Sequence, residues 1–311
     1  MKYFQIKRYL ILILLFFCVF KNNAQNDKQQ KAILLKLNEI HKPTFKTRDS
    51  LSYLYKVINE KAGYTNDTII KNKLYQKIDE LDVLASKNDA KELENELKFI
   101  NEFPSNKIAL EILMHKITKK ESVEKIDKIN STFNNLSNEL KYSATGLSLK
   151  QLIISLQNSV VGSRAPNFFV KDIKGTSWSL DMFKGKKYVL LTFWNSNSSI
   201  SSKENVYLKD LHKKYSDKGL EIISISLDEN MNDLMAAIKH QKTDMFINVS
   251  LITNKISIVD DYFVNAIPHK ILIDKNGIII ERWYGCSNAN KKKIATTLGN
   301  IFNQKNASTK K

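Results

Sequence analysis

The sequence is poor in cysteine. Among 311 residues there are two, Cys18 and Cys286, and Cys18 lies in an N-terminal segment that reads as removable. The mature chain then keeps one thiol, so no internal disulfide can form. An exported protein could have used disulfides; here stability must come from the core. A hydrophobic fraction of 42% is enough for one and excludes bulk disorder. The N-terminal apolar run, residues 9–20, is too short for a comfortable transmembrane helix. Lys2, Lys7 and Arg8 precede it, and Ala24 follows it. This is the layout of a secretory signal peptide. Residues 1–25 are therefore expected to be a signal peptide, with no stable membrane span after its cleavage. Lipoprotein processing at Cys18 is not expected, because Phe17 stands where a small residue is needed.

A concentrated basic surface is also missing. Formal net charge is +17, from 49 Lys+Arg against 32 Asp+Glu, a balance that could indicate nucleic acid or an anionic membrane surface. The lysines are scattered and interleaved with acids, as in Lys91-Glu92 and Lys120-Glu121-Ser122-Val123-Glu124-Lys125. No basic stripe with aromatics between appears, so the charge reads as a solvated surface and no nucleic-acid partner is expected. His41 and His115 have no second ligand-type residue at metal spacing. Neither a metal nor a cofactor is expected.

Residues 26–157 read as an all-helical domain. Ile33, Leu34, Leu37 and Ile40 recur at helical spacing. Helix starts are expected at Asp49-Ser50, at Asn66-Asp67-Thr68, at Asn88-Asp89 and at Ser105. Strand-like alternation is absent, and so is any obvious repeat of solenoid length. The character changes near Val161-Gly162. Residues 167–170 and 176–180 flank a hairpin turn at Asp172-Ile173-Lys174-Gly175. Residues 188–194 form a near-continuous apolar run, as in a strand covered on both faces, and residues 220–227 read as a second buried strand. Helices are expected at 200–215, 230–241, 256–263 and 290–302, a short strand at 246–251, and a hairpin from 270–273 to 278–284. This order predicts an α/β domain over 158–304, a mixed sheet with flanking helices, and a disordered basic tail at 305–311.

Several stretches then fall into a specific order: Val161-Gly162-Ser163-Arg164-Ala165-Pro166-Asn167-Phe168, Ser179-Leu180 through Gly185-Lys186, Leu191-Thr192-Phe193-Trp194, and residues 219–228 and 266–277. Over residues 161–304 the chain resembles the TlpA/ResA-type thiol-disulfide oxidoreductases and the related AhpC/TSA peroxiredoxins. The resemblance implies a thioredoxin-like fold, export to the bacterial periplasm or cell envelope, and a cis bond at Ile267-Pro268. It also implies a substrate groove with Trp194, Asn197, Ser198, Ser199, Ile200 and Ser201 on one side, and Ile267, Pro268, His269 and Gly285 on the other.

The departure lies at the reactive centre. Family members read F-W-x-x-W-C-x-x-C-x-x-E. This chain reads Phe193-Trp194-Asn195-Ser196-Asn197-Ser198-Ser199-Ile200-Ser201-Ser202-Lys203-Glu204. Ser198 and Ser201 stand where the two cysteines would be, Asn197 replaces the second Trp, and Val206 replaces the helix-kinking Pro. A serine hydroxyl stays protonated near neutral pH and forms no mixed disulfide. Ser198 is instead placed to cap a helix, with Ser201 three residues on. A serine nucleophile would need a positioned base. His269 could approach Ser198 or Ser201, but no acid is evident to orient it and the Gly-x-Ser-x-Gly elbow is absent, so His269 reads as a lone exposed histidine. Cys286 is the candidate thiol, in a loop that the resemblance places beside the groove; a small half-buried apolar residue is the alternative. The expected function is redox-inactive binding of a protein or extended peptide. The alternative is an antioxidant or thiol-disulfide oxidoreductase using Cys286.

Overall fold

The computed structural model describes residues 24–303 apart from Lys120, Lys255 and Ile256. Cys18, the apolar run of the expected signal peptide and the expected basic tail lie outside the described residues. Ala24 and Gln25 already belong to the first helix.

The helical half opens with α1 (Ala24–Tyr64) and α2 (Thr68–Glu102). At 1.5 Å per residue these helices run about 60 Å and about 50 Å. Asp67 caps α2 as expected, its carboxylate accepting from Ile69 N and Ile70 N. The starts expected at Asp49-Ser50 and Asn88-Asp89 do not occur; both pairs lie inside long helices, and Ser50, Asn88 and Asp89 bond elsewhere. Ser50 Oγ turns back to Lys46 O, four residues earlier in the same helix. Asn88 Nδ2 donates across to Thr44 O on α1, and Asp89 pairs with Arg48. Residues that cap a helix when free here tie two long helices together. The next cap is Asn106, not Ser105, at the start of α3 (Lys107–Ile117). Then follow α4 (Glu121–Glu124), α5 (Ile126–Asn134), α6 (Asn138–Lys141) and α7 (Ala144–Gln157). Leu93, Leu97, Ile100, Leu113, Ile129 and Leu149 form the centre of one apolar core.

The sheet half begins with a small hairpin of β1 (Phe169–Lys171) and β2 (Ser177–Ser179). Asp172 shapes its turn by accepting from Lys174 N and Thr176 N. The main sheet contains β3 (Tyr188–Trp194), β4 (Leu220–Ser226), β5 (Ile247–Ser250), β6 (His269–Ile273) and β7 (Ile279–Tyr284), in the spatial order β5-β4-β3-β6-β7. β3, β4 and β5 are parallel; β6 runs antiparallel to β3, and β7 antiparallel to β6. Strand alternation divides the apolar residues between two faces. Leu191, Phe193, Ile225 and Ile271 face the hairpin and the short helix α10 (Ile258–Asp261). Leu190, Ile222 and Leu272 face α8 (Ser199–Tyr215) and α11 (Asn288–Asn303). On that side too, α9 (Met231–Gln241) packs Leu234 and Ile238 against Trp194. This is the mixed sheet with flanking helices that the alternating pattern predicts, in the thioredoxin-like arrangement that the resemblance implies. No helix among the described residues is long and apolar enough to cross a membrane.

Candidate functional site

β3 delivers its last residue, Trp194, to the edge of the sheet, and the chain turns through residues 195–198 into α8. The turn is braced. Asp228, buried just past β4, accepts from Ser196 N at 2.9 Å, from Ser196 Oγ at 2.6 Å and from Ser226 Oγ at 2.6 Å. Asn195 Nδ2 donates to Leu227 O, and Asn197 N returns to Asn195 Oδ1. Ser198 is the N-cap of α8, its Oγ accepting from Ser201 N at 3.2 Å. The N-cap places a side-chain oxygen on one of the helix's otherwise unpaired N–H groups. Ser199 and Ile200 are exposed, Asn197 with them, while Ser201 turns inward and is fully buried. Asp228 was not singled out as a site residue; its signals were an acid just after a buried strand and its place at the end of the stretch 219–228.

The register pairs Phe193 with His269, which sets Ile267 and Pro268 beside the braced turn. The Ile267–Pro268 bond is cis, and Pro268 O accepts from Gly285 N at 2.8 Å. The backbone N–H and C=O groups of Ala266 and Ile267 have no hydrogen-bond partner among the described residues.

His269 is not exposed, contrary to the sequence reading. β6 begins one residue earlier than expected, which puts His269 inside the sheet, fully buried. Its ring lies 4.3 Å from that of Tyr284, and Nε2 is 3.3 Å from Arg282 Nη2. Burial, and then the Arg282 and Lys270 charges, hold its pKa well below the ordinary value. The imidazole faces the Phe193 side of the sheet, opposite to α8. It is no base for Ser198 or Ser201.

Lys270, the next residue, points the other way. Its Nζ lies 2.5 Å from Glu204 Oε2 on α8 and 2.5 Å from Gly285 O, and both ionisable side chains are fully buried. Burial pushes Glu204 up, although Lys270 pulls the other way; burial likewise pushes Lys270 down against the pull of Glu204. Desolvation outweighs the mutual attraction on both partners. Cys286 is half-buried beside this pair. Burial raises its thiol pKa, the Glu204 charge raises it further, and Lys291 and Lys270 only partly offset this. A reactive thiol needs the opposite shift. Tyr207, pushed up to about 12 by burial and then by Glu204, donates to Lys291 O at 2.7 Å.

A second titratable cluster lies in the helical half. His41, Glu92 and Glu96 bring ligand-type atoms within 4.8 Å of one another, a grouping that residue spacing along the chain hides. Lys116 lies among them, 2.5 Å from Glu92 Oε1 and 2.9 Å from Glu96 Oε2. Arg48 takes the other Glu92 oxygen at 2.5 Å, and His41 Nε2 takes Glu96 Oε1 at 2.8 Å. The chain's own cations balance both carboxylates, so the cluster is an ion-pair network. A divalent ion would have to displace Lys116. Elsewhere, a cavity of about 470 Å³ lined by Arg164, Pro166, Leu180, Phe183 and Asp274 sits at the start of β3, the opposite end from Ser198.

The profile of the AhpC/TSA family matches residues 161–282. The chain is 34% identical over 143 residues to a thiol-disulfide oxidoreductase ResA of Bacillus cereus, covering 46% of this chain and 80% of that protein. It is 33% identical over 144 residues to ResA of Bacillus anthracis, with the same coverage of 46% and 80%. Among solved structures, the thioredoxin domain of a thiol-disulfide oxidoreductase from Bacteroides vulgatus is 33% identical with a TM-score of 0.38, covering 43% of this chain and 98% of that one. With its sheet order, its braced turn and its cis-proline in view, the chain belongs to the TlpA/ResA-type thiol-disulfide oxidoreductase family.

Proposed function

We propose that this chain is an exported, redox-inactive member of its family that holds an extended polypeptide segment along the former reactive centre. Residues 26–157 act on this reading as a helical domain and 158–304 as the binding domain, in the periplasm or cell envelope. The observation that carries the proposal is the open backbone of Ala266 and Ile267 beside a braced, cysteine-free turn. Unpaired N–H and C=O groups in an exposed loop leading into a strand are free to pair with an extended chain. Meanwhile the hydroxyl of Ser198 serves as a helix cap, and the thiol of Cys286 is kept protonated. Thiol exchange needs an attacking thiolate and a resolving partner.

Two measurements on the mature protein test this. Insulin disulfides should not be reduced above background. S-carboxymethylated α-lactalbumin, a long unfolded chain without free thiols, should bind, and Cys286→Ser should bind it equally well. Turnover of insulin that disappears in Cys286→Ser would instead establish the one-thiol oxidoreductase.

A further inference from the structure

The segment that leads into Pro268 is held from the helical half as well as from the sheet. Phe263 adopts a positive φ of 49°, a conformation uncommon outside glycine, and belongs to the same buried cluster as Leu113, Ile117 and Leu149 of the helical core. Asn265 Nδ2 donates to Thr118 O, just past α3. From β7, Arg282 donates to Ser159 O, just past α7, and to Tyr262 O at 2.8 Å. Residues 262–265 are thus clamped between the halves, and the next two, Ala266 and Ile267, are the ones with open backbone. Across Asn265 lies the turn from α3 to α4, with Thr118 exposed and Lys119 half-buried. Glu121, at the end of that turn, contacts Ser86 Oγ at 3.5 Å and lies near enough to Tyr284 for its charge to act on the phenol. Lys119 has no ion-pair partner among the described residues.

We infer that the α3–α4 turn is the far wall of the groove, so that the helical half selects what the sheet half binds. A chain paired along Ala266 and Ile267 runs on past Asn265 against Thr118 and Lys119. The unpaired ammonium of Lys119 favours an acidic side chain at that point. The inference rests on the binding function proposed above, and it adds a specificity determinant that the sheet half does not contain.

The full mature chain tests it, with S-carboxymethylated α-lactalbumin as probe. The photoreactive p-benzoylphenylalanine is placed in turn at Ala266, at Lys119, and at Lys213 near the far end of α8. Cross-links are expected from the first two positions and none from the third. Lys119→Glu, at a surface turn, and Asn265→Ala should each weaken binding at least fivefold, with melting temperature unchanged for Lys119→Glu. Cross-linking from position 266 alone, with unaltered affinity in both variants, overturns the inference and leaves the binding function standing. Absence of cross-linking from both 266 and 119 overturns the two together.

Discussion

Each half of this chain buries one lysine beside glutamate, and the two are held in opposite ways. Lys116 in the helical half meets two carboxylates, and Arg48 and His41 complete the network. Burial alone would lower its pKa, but Glu96 and Glu92 together hold it above the ordinary value. Lys270 in the sheet half meets one carboxylate and one carbonyl oxygen, and its pKa falls. The difference teaches that the number of counter-charges decides whether a buried cation keeps its proton firmly. A single pair, fully enclosed, leaves desolvation in control.

Removing one member of each network should break the symmetry most visibly. Lys270→Met leaves Glu204 buried without its donor and frees Gly285 O, and should cost about 3–5 kcal/mol in urea unfolding. Lys116→Met should cost less, since Glu92 keeps Arg48 and Glu96 keeps His41. Replacing the sheet pair together, Glu204→Leu with Lys270→Met, should recover most of the loss. A double variant as unstable as Lys270→Met alone would show that an uncompensated buried carboxylate is not the source of the cost.

The same contrast sets the pH dependence. Lys116 and Arg48 hold Glu92 below its ordinary value despite burial. The folded state therefore binds that proton more weakly than the unfolded state, and the stability from Glu92 is lost as pH falls through its folded pKa. Glu204 is raised by burial, so its folded state binds the proton more tightly. Its contribution is largest on the acid side and declines as pH rises from the unfolded pKa through the folded one. Urea midpoints across a pH series should show Glu92→Gln flattening the acid limb and Glu204→Gln flattening the decline toward neutral pH.

Smaller effects belong to the turn. Asp228→Asn removes a charged acceptor of three hydrogen bonds and should lower stability by about 1–3 kcal/mol, with faster amide exchange at Ser196. Ser198→Ala removes a cap and should cost about 1 kcal/mol, comparable to Asp67→Ala at the tip of the helical hairpin. Thermal melts of the two cap variants compare the halves directly.

Much of the fold was legible because burial on both faces leaves a plain mark. The run at 188–194 is apolar almost throughout and became β3, and the β-branched stretch at 220–227 became β4. Polar residues misled where they bond at long range. Asn88-Asp89 has the chemistry of a helix start, yet both side chains bond across to α1; at Asp49-Ser50 the serine hydroxyl turns back into α1 itself. His269 read as exposed because it was left in the loop before the strand, whereas β6 begins at His269 and is buried on both faces. The serines at 198 and 201 were visible directly. The union of Glu204 with Lys270, 66 residues apart, and of Lys116 with Glu92 and Glu96, was not, because no spacing along the chain announces it.

The cap at Ser198 has a wider consequence. A pair of cysteines makes the shape of this turn depend on the surroundings, since oxidised and reduced forms differ in covalent structure. A hydroxyl that only accepts a hydrogen bond has one form. The turn therefore keeps the same covalent structure in a reducing and in an oxidising milieu.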